Sequence, residues 1–393
     1  MEGILKGFRI YLLPGLVLQS VIVAGGYGTG REVVEYFTRH GIQTAWTGFL
    51  VAFLSFALVF CLCLELSRRF KVYDYRRFFH LLLGRAWFLF EIVLITMFML
   101  VLAVIGSAAG EIAQDEWGLP SSVGAGLMLG LVVLLMFFGR QVITVIMAYW
   151  SFYLFAVLAV YLIVAAMSLD LKPTLALPPT SETADTIKSA LQYTFYNSPA
   201  IPVILYCAHA IETRRQAILS GLIGTTIVLL PGLGLHLSFS GAYPEILEAP
   251  LPIYAMFDLL QQEALKFAYL IMLMGTFIES GAGNLQGFIE RVNSTLADRD
   301  RPPLKPWSQA LIAALAMGLA LLLAQIGMTR LIAEGYGALA WAYFAVFIVP
   351  LFTVGLYRLT RSSVADNSGL GHRLNNPAHR PSDRSARLDA LTL

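Results

Sequence analysis

Gly25-Gly26-Tyr27-Gly28-Thr29-Gly30-Arg31-Glu32 is the stretch that decides the fold. It sets four glycines and a charged pair inside an apolar segment long enough to cross a membrane, with residues 12–24 before it and 33–37 after it. Each glycine weakens a helix by about 1 kcal/mol relative to alanine. Non-helical backbone at membrane depth persists only where it is buried in protein or lines a wet cavity. A broken first span therefore predicts a binding site near the bilayer midplane.

Composition fixes the class. Hydrophobic residues make up 58% of the 393 positions and charged residues 13%, too apolar for a soluble chain of this length. The net charge of +2 gives no signal for nucleic acid, and the basic residues sit in loops. Cys61, Cys63 and Cys207 all fall in apolar runs and read as small core residues. The N-terminus lacks the short apolar core and small-residue cleavage site of a signal peptide.

The apolar runs give ten spans: 10–38, 42–66, 86–111, 121–138, 141–168, 187–208, 216–239, 264–289, 308–326 and 334–357. Residues 244–262, with three prolines and three acids, read as an external hairpin or re-entrant piece. With the N-terminus inside, the inner segments carry 15 Lys and Arg once the six beyond residue 357 are set aside. The outer segments carry five. That bias puts both termini in the cytoplasm of an inner-membrane protein. The outer loops hold acids, Glu111 among them. Residues 1–360 form one transmembrane domain, and 361–393, without an aromatic residue, read as a disordered cytoplasmic tail.

An offset of 173 residues lays Ile105-Gly106-Ser107-Ala108-Ala109-Gly110 on Ile278-Glu279-Ser280-Gly281-Ala282-Gly283. The same offset carries the glycine run onto Tyr196-Asn197-Ser198-Pro199-Ala200-Ile201-Pro202, itself a break because proline removes backbone donors. Two halves, about 10–168 and 187–357, thus each begin with an interrupted span. Five spans is an odd number, so the halves enter the membrane from opposite sides. Paired interruptions of this kind point to a transporter site.

On these features the chain resembles the LeuT-type fold of the amino acid–polyamine–organocation superfamily. It is an all-α membrane protein expected to have a 5+5 inverted repeat with helices 1 and 6 broken. More narrowly, Gly28-Thr29-Gly30-Arg31-Glu32 and Tyr196-Asn197 with Pro202 resemble the YkvI-type membrane proteins. The resemblance implies a solute site formed by Gly26, Gly28, Thr29, Gly30 and Arg31 of the first break. Ser107 of span 3 and Tyr196, Asn197 and Ser198 of the second break complete it. It also implies a region for a coupling cation, sodium or a proton, beside Ala24, Tyr27, Glu279 and Ser280. In the family two hydroxyl residues of span 8 help hold sodium. Here Ser280 keeps one oxygen, and Glu279 puts a titratable group in place of the other.

Several roles stay open from sequence. Arg31 opens the outer half of span 1, where helix N-terminal N–H groups and a guanidinium suit a carboxylate. It equally suits a pair with Glu35 at i+4, a pair with Glu279, a stand-in for a second sodium, or a gate. Glu279 can bind sodium, take up a proton or neutralise Arg31. Tyr196, Asn197 and Ser198 serve either solute recognition or capping of the broken ends. Ser107 faces the cavity or bonds back to its own helix. Glu32 and Glu35 are expected to line an outer vestibule. His209, His236 and Glu212 show no metal-ligand spacing, and the glycine run lacks the later glycine of a dinucleotide loop.

The expected function is a secondary transporter. It moves a small polar solute, an amino acid or related carboxylate, by alternating access with sodium or protons. No cofactor beyond a bound sodium ion is expected. The partners are the solute, the cation and the lipid bilayer, and the oligomeric state is open. An uncoupled facilitator and a ligand-binding sensor are the alternatives. No nucleophile–base set suggests an enzyme.

Overall fold

A computed structural model describes residues 2–23, 25–136, 140–168, 182–297, 301–302 and 304–367. In chain order the helices are Leu5–Ile22 (α1), Gly25–Gly28 (α2), Arg31–Tyr36 (α3), Thr44–Phe70 (α4), Tyr75–Leu83 (α5) and Phe88–Trp117 (α6). They continue as Ser121–Met136 (α7), Arg140–Ser168 (α8), Thr183–Asn197 (α9), Ala200–Val203 (α10) and Arg214–Phe239 (α11). Pro252–Leu260 (α12), Glu263–Ala297 (α13), Pro306–Ala324 (α14) and Met328–Arg361 (α15) follow. Among the described residues all regular structure is helical.

Seven helices are long and apolar enough to cross a membrane: Leu5–Ile22, Thr44–Phe70, Tyr75–Trp117, Arg214–Ala242, Glu263–Asn293, Trp307–Ala324 and Met328–Arg361. Ser121–Leu134 and Phe152–Ser168 are shorter apolar helices. Helix α4 shows why these lengths work: at about 1.5 Å per residue its 27 residues rise about 40 Å, more than a hydrocarbon core. Its outer row, Leu50, Leu54 and Leu58, is 57–59% exposed at i, i+4 spacing, which suits lipid rather than water. The chain is a multi-pass membrane protein.

Local chemistry sets the helix starts between spans. Asp74 accepts hydrogen bonds from the Arg76 and Arg77 N–H groups and begins α5. Thr213 and Gln216 form a reciprocal capping box at the start of α11. Residues 244–262 fold as short turns and α12. Helical structure at the C-terminus runs to Asn367, into the stretch expected to be unstructured. Residues 368–393 lie outside the described residues.

Helix α4 lies between α9 and α11, and α1 runs along α11. There the backbones touch. A methyl group on Gly15 would lie 2.5 Å from the Gly224 Cα, and one on Gly221 would lie 2.5 Å from the Cys61 sulfur. Small residues at such crossings give membrane helices their close packing. On the other side α13 packs against α7 and α8, and α6 against α7 and α14.

Candidate functional site

The glycine run leaves backbone groups that need partners from elsewhere. Helix α1 stops at Ile22, and α3 begins after Gly30, whose φ of +84° is left-handed. Gly30 N–H donates to the Tyr27 carbonyl at 3.0 Å, which turns the chain. The freed Gly28 carbonyl accepts from the Tyr269 hydroxyl of α13 at 3.1 Å. The Thr29 carbonyl accepts from Ile253 N–H of α12 at 3.0 Å, and Thr29 Oγ1 accepts from Arg31 N–H at 3.3 Å. Gly26 lies in α2; Ala24 lies outside the described residues.

A second set of short pieces follows α9. Pro199 and Pro202 have no N–H to donate, so the bonds tighten to i→i+3: Ile201 to Ser198 at 2.9 Å, Ile204 to Ile201 at 3.1 Å, Cys207 to Ile204 at 2.9 Å. Asn197 Nδ2 donates to the Tyr193 carbonyl at 3.1 Å and Ser198 Oγ to the Thr194 carbonyl at 2.5 Å. Both side chains engage their own helix. Tyr196 instead reaches across: its hydroxyl donates to Glu32 Oε2.

Glu32 is 4% exposed. Tyrosines crowd its partner: ring centroids are 5.2 Å apart for Tyr36–Tyr196, 5.1 Å for Tyr196–Tyr336 and 5.7 Å for Tyr193–Tyr196. Tyr36 hydroxyl donates to the Ile332 carbonyl of α15 at 3.3 Å. Placing a charged carboxylate at the centre of a membrane helix costs about 2.5–3.5 kcal/mol on insertion scales. A buried group of this kind is functional by default.

Arg31 points away from this cluster. Its guanidinium donates to the Leu247 and Ala249 carbonyls at 2.7 and 3.1 Å and pairs with Glu35 at 3.1 Å. Glu35 also pairs with the half-exposed Arg39. Of the roles left open by sequence, the i+4 pair is the one formed, and no ion pair joins Arg31 to Glu279 among the described residues. The vestibule reading for Glu32 and Glu35 is corrected. Glu35 is 6% exposed because residues 247–253 fold over α3 and supply two carbonyls and an N–H to it and the turn before it. A second contact fastens that segment: Tyr254 donates to Glu116, which pairs with Lys266 at 3.2 Å.

The chain as a whole has similar proteins elsewhere. The uncharacterized membrane protein YkvI of Bacillus subtilis (strain 168) is 25% identical over 331 residues, covering 81% of this chain and 89% of that one. The chain is a relative of the YkvI-type membrane proteins. No family model matches it. Among solved structures, a Na+-coupled sialic acid symporter in its substrate-bound outward-open state superposes with a TM-score of 0.57 at 12% identity. The match covers 86% of this chain and 78% of that one. The manganese transporter of Eremococcus coleocola gives 0.55 at 14% identity over 89% and 80%. At these identities the likeness is one of fold: the chain shares the helical fold of those two proteins.

The remaining expected site residues of the YkvI relative scatter. Tyr27 is buried, and a methyl on Gly232 of α11 would lie 3.0 Å from its hydroxyl. Glu279 and Ser280 are half-buried on α13, ten and eleven residues beyond Tyr269, or about 15 Å along the helix. Ser280 keeps the face of Tyr269, and Glu279 is turned about 80° from that face. Ser107 is buried on α6 and faces Glu111 one turn on. Glu111, read from sequence as an outer-loop acid, is in α6, where its carboxylate also faces the Met328 N–H and the charge of Arg31. The sequence reading missed Tyr36, Tyr193 and Tyr336. The available signal was spacing: Tyr36 follows Glu32 by four residues, and Tyr193 precedes Tyr196 by three.

Proposed function

We propose that the chain is a secondary active transporter of the inner membrane with both termini cytoplasmic. Ten spans form two inverted repeats of five, with spans 1 and 6 interrupted at α1–α3 and α9–α10. It moves a small polar solute, an amino acid or related carboxylate, by alternating access coupled to sodium or protons. The observation that carries the reading is the bond from Tyr196 to Glu32, which ties the two interrupted segments together through buried polar groups. Polar side chains converging where backbone is irregular are what a solute site inside a membrane requires. Gly26, Gly28, Thr29, Gly30, Ser107, Asn197 and Ser198 border that site. Glu279 and Ser280 offer oxygens for the cation, and Glu279 has no ion pair among the described residues.

The test is ligand-dependent thermal stabilisation over a panel of amino and organic acids, with and without sodium at two pH values, followed by uptake into proteoliposomes. A stabilising solute is expected to accumulate only with an ion gradient. Glu279→Gln is expected to change the ion dependence of uptake. Uptake and ion dependence equal to wild type would remove Glu279 from the mechanism, and downhill flux alone would make the protein a facilitator.

A further inference from the structure

Glu32 sits where an uncompensated charge is hardest to keep. Its hydrogen bond comes from the neutral Tyr196 hydroxyl, and no Lys or Arg pairs with it among the described residues. The neighbouring cation, Arg31, is committed to Glu35 and two carbonyls. The titratable groups brought near by packed elements are neutral phenols: Tyr27 of α2, Tyr36 of α3, Tyr193 and Tyr196 of α9, and Tyr336 of α15. From α11 comes His236, already bonded to Thr38 at 3.0 Å and to the Ile42 carbonyl at 3.2 Å. The outer segment's Glu245 and Glu248 are exposed, and Glu334 of α15 pairs with Arg330 at the surface.

A buried carboxylate with no counter-charge must take up a cation or a proton. A metal ion needs about six oxygens at 2.0–2.6 Å around it. Tyrosine rings packed at 5.1–6.0 Å crowd the Tyr196 that covers one carboxylate oxygen, and a proton on the other oxygen needs no shell of ligands. Protonation at the carboxyl oxygen opposite Tyr196 leaves the Tyr196 bond in place, so the group is neutralised without rearrangement.

Resting on the transport reading above, we propose that Glu32 is a coupling-proton site, loaded while Tyr196 covers it and emptied when the two interrupted segments part. The proton comes from water on one side of the membrane and returns to water on the other, with no net chemistry on the protein. Glu32 thereby senses separation of the two segments directly, because the group that seals it belongs to the other one.

Infrared difference spectroscopy of the full chain in lipid nanodiscs, titrated from acid to alkaline pH, tests this without a known solute. The expected result is a protonated-carboxyl C=O band at neutral pH that vanishes at high pH and is absent from Glu32→Gln. Glu279→Gln should retain it, and Tyr196→Phe, which keeps the carboxyl, should retain it at a shifted frequency. No band removed by Glu32→Gln, or a band displaced by sodium at constant pH, overturns the proposal. In proteoliposomes Glu32→Gln is expected to lose proton-driven accumulation; unchanged proton-driven accumulation in that variant also overturns the proposal. Absence of transport by the wild type, with the band present, would instead fault the transport reading.

Discussion

Gly30→Ala is expected to lower stability by about 2–5 kcal/mol, the largest single effect in the first interruption. The left-handed conformation at φ +84° costs an L-residue about 1–2 kcal/mol. The added methyl would lie 2.5 Å from Phe239 Cζ and 2.9 Å from Ile253 Cγ1, and overpacking of this kind costs about 1–3 kcal/mol more. Phe239 ends α11 and Ile253 belongs to α12, so relief requires moving two elements at once. Gly28→Ala is the control, because its methyl would meet Leu273 Cδ1 at an ordinary 3.6 Å. Thermal melting of detergent-solubilised protein, followed by size exclusion, should show a large fall for Gly30→Ala and a small one for Gly28→Ala. Equal melting of the two would mean that the turn at Gly30 is not fixed.

Glu35→Ala should cost about 3–5 kcal/mol, the range for removing one partner of a buried ion pair. Arg31 and Glu35 have side chains 6% and 7% exposed, and without the carboxylate the guanidinium keeps only the Leu247 and Ala249 carbonyls. Arg39→Ala, removing the other partner of Glu35 from a side chain 52% exposed, should cost less than about 1 kcal/mol. Thermal melts of the two variants measure the contrast, and similar shifts would contradict it. Arg31→Gln is expected to weaken anionic and neutral solutes alike, since its charge is already engaged. A loss confined to anionic solutes would place the guanidinium on the solute instead.

Sequence carried the reading far where the signal was local. The glycine run marked the first interruption, and the i+4 spacing of Arg31 and Glu35 offered the pair that forms. Tyr196 was picked out for its place beside the prolines. What failed was burial. Val33 and Val34 follow Glu32 without stating what covers it, and the groups around it come from α9 and α15. Glu111, the last residue of the expected span 86–111, was counted with the outer-loop acids, and the helix runs on to Trp117. A single chain read end to end has no term for what folds over a span from two hundred residues away.

The contact between Gly15 and Gly224 limits how the molecule can change shape. Two backbones that touch cannot slide without collision, and Cys61 against Gly221 adds α4 to the same knot. Helices α1, α4 and α11 are therefore held as one rigid unit. Any displacement of α3 relative to that unit has to bend at the glycine run, where Gly30 already holds a left-handed turn.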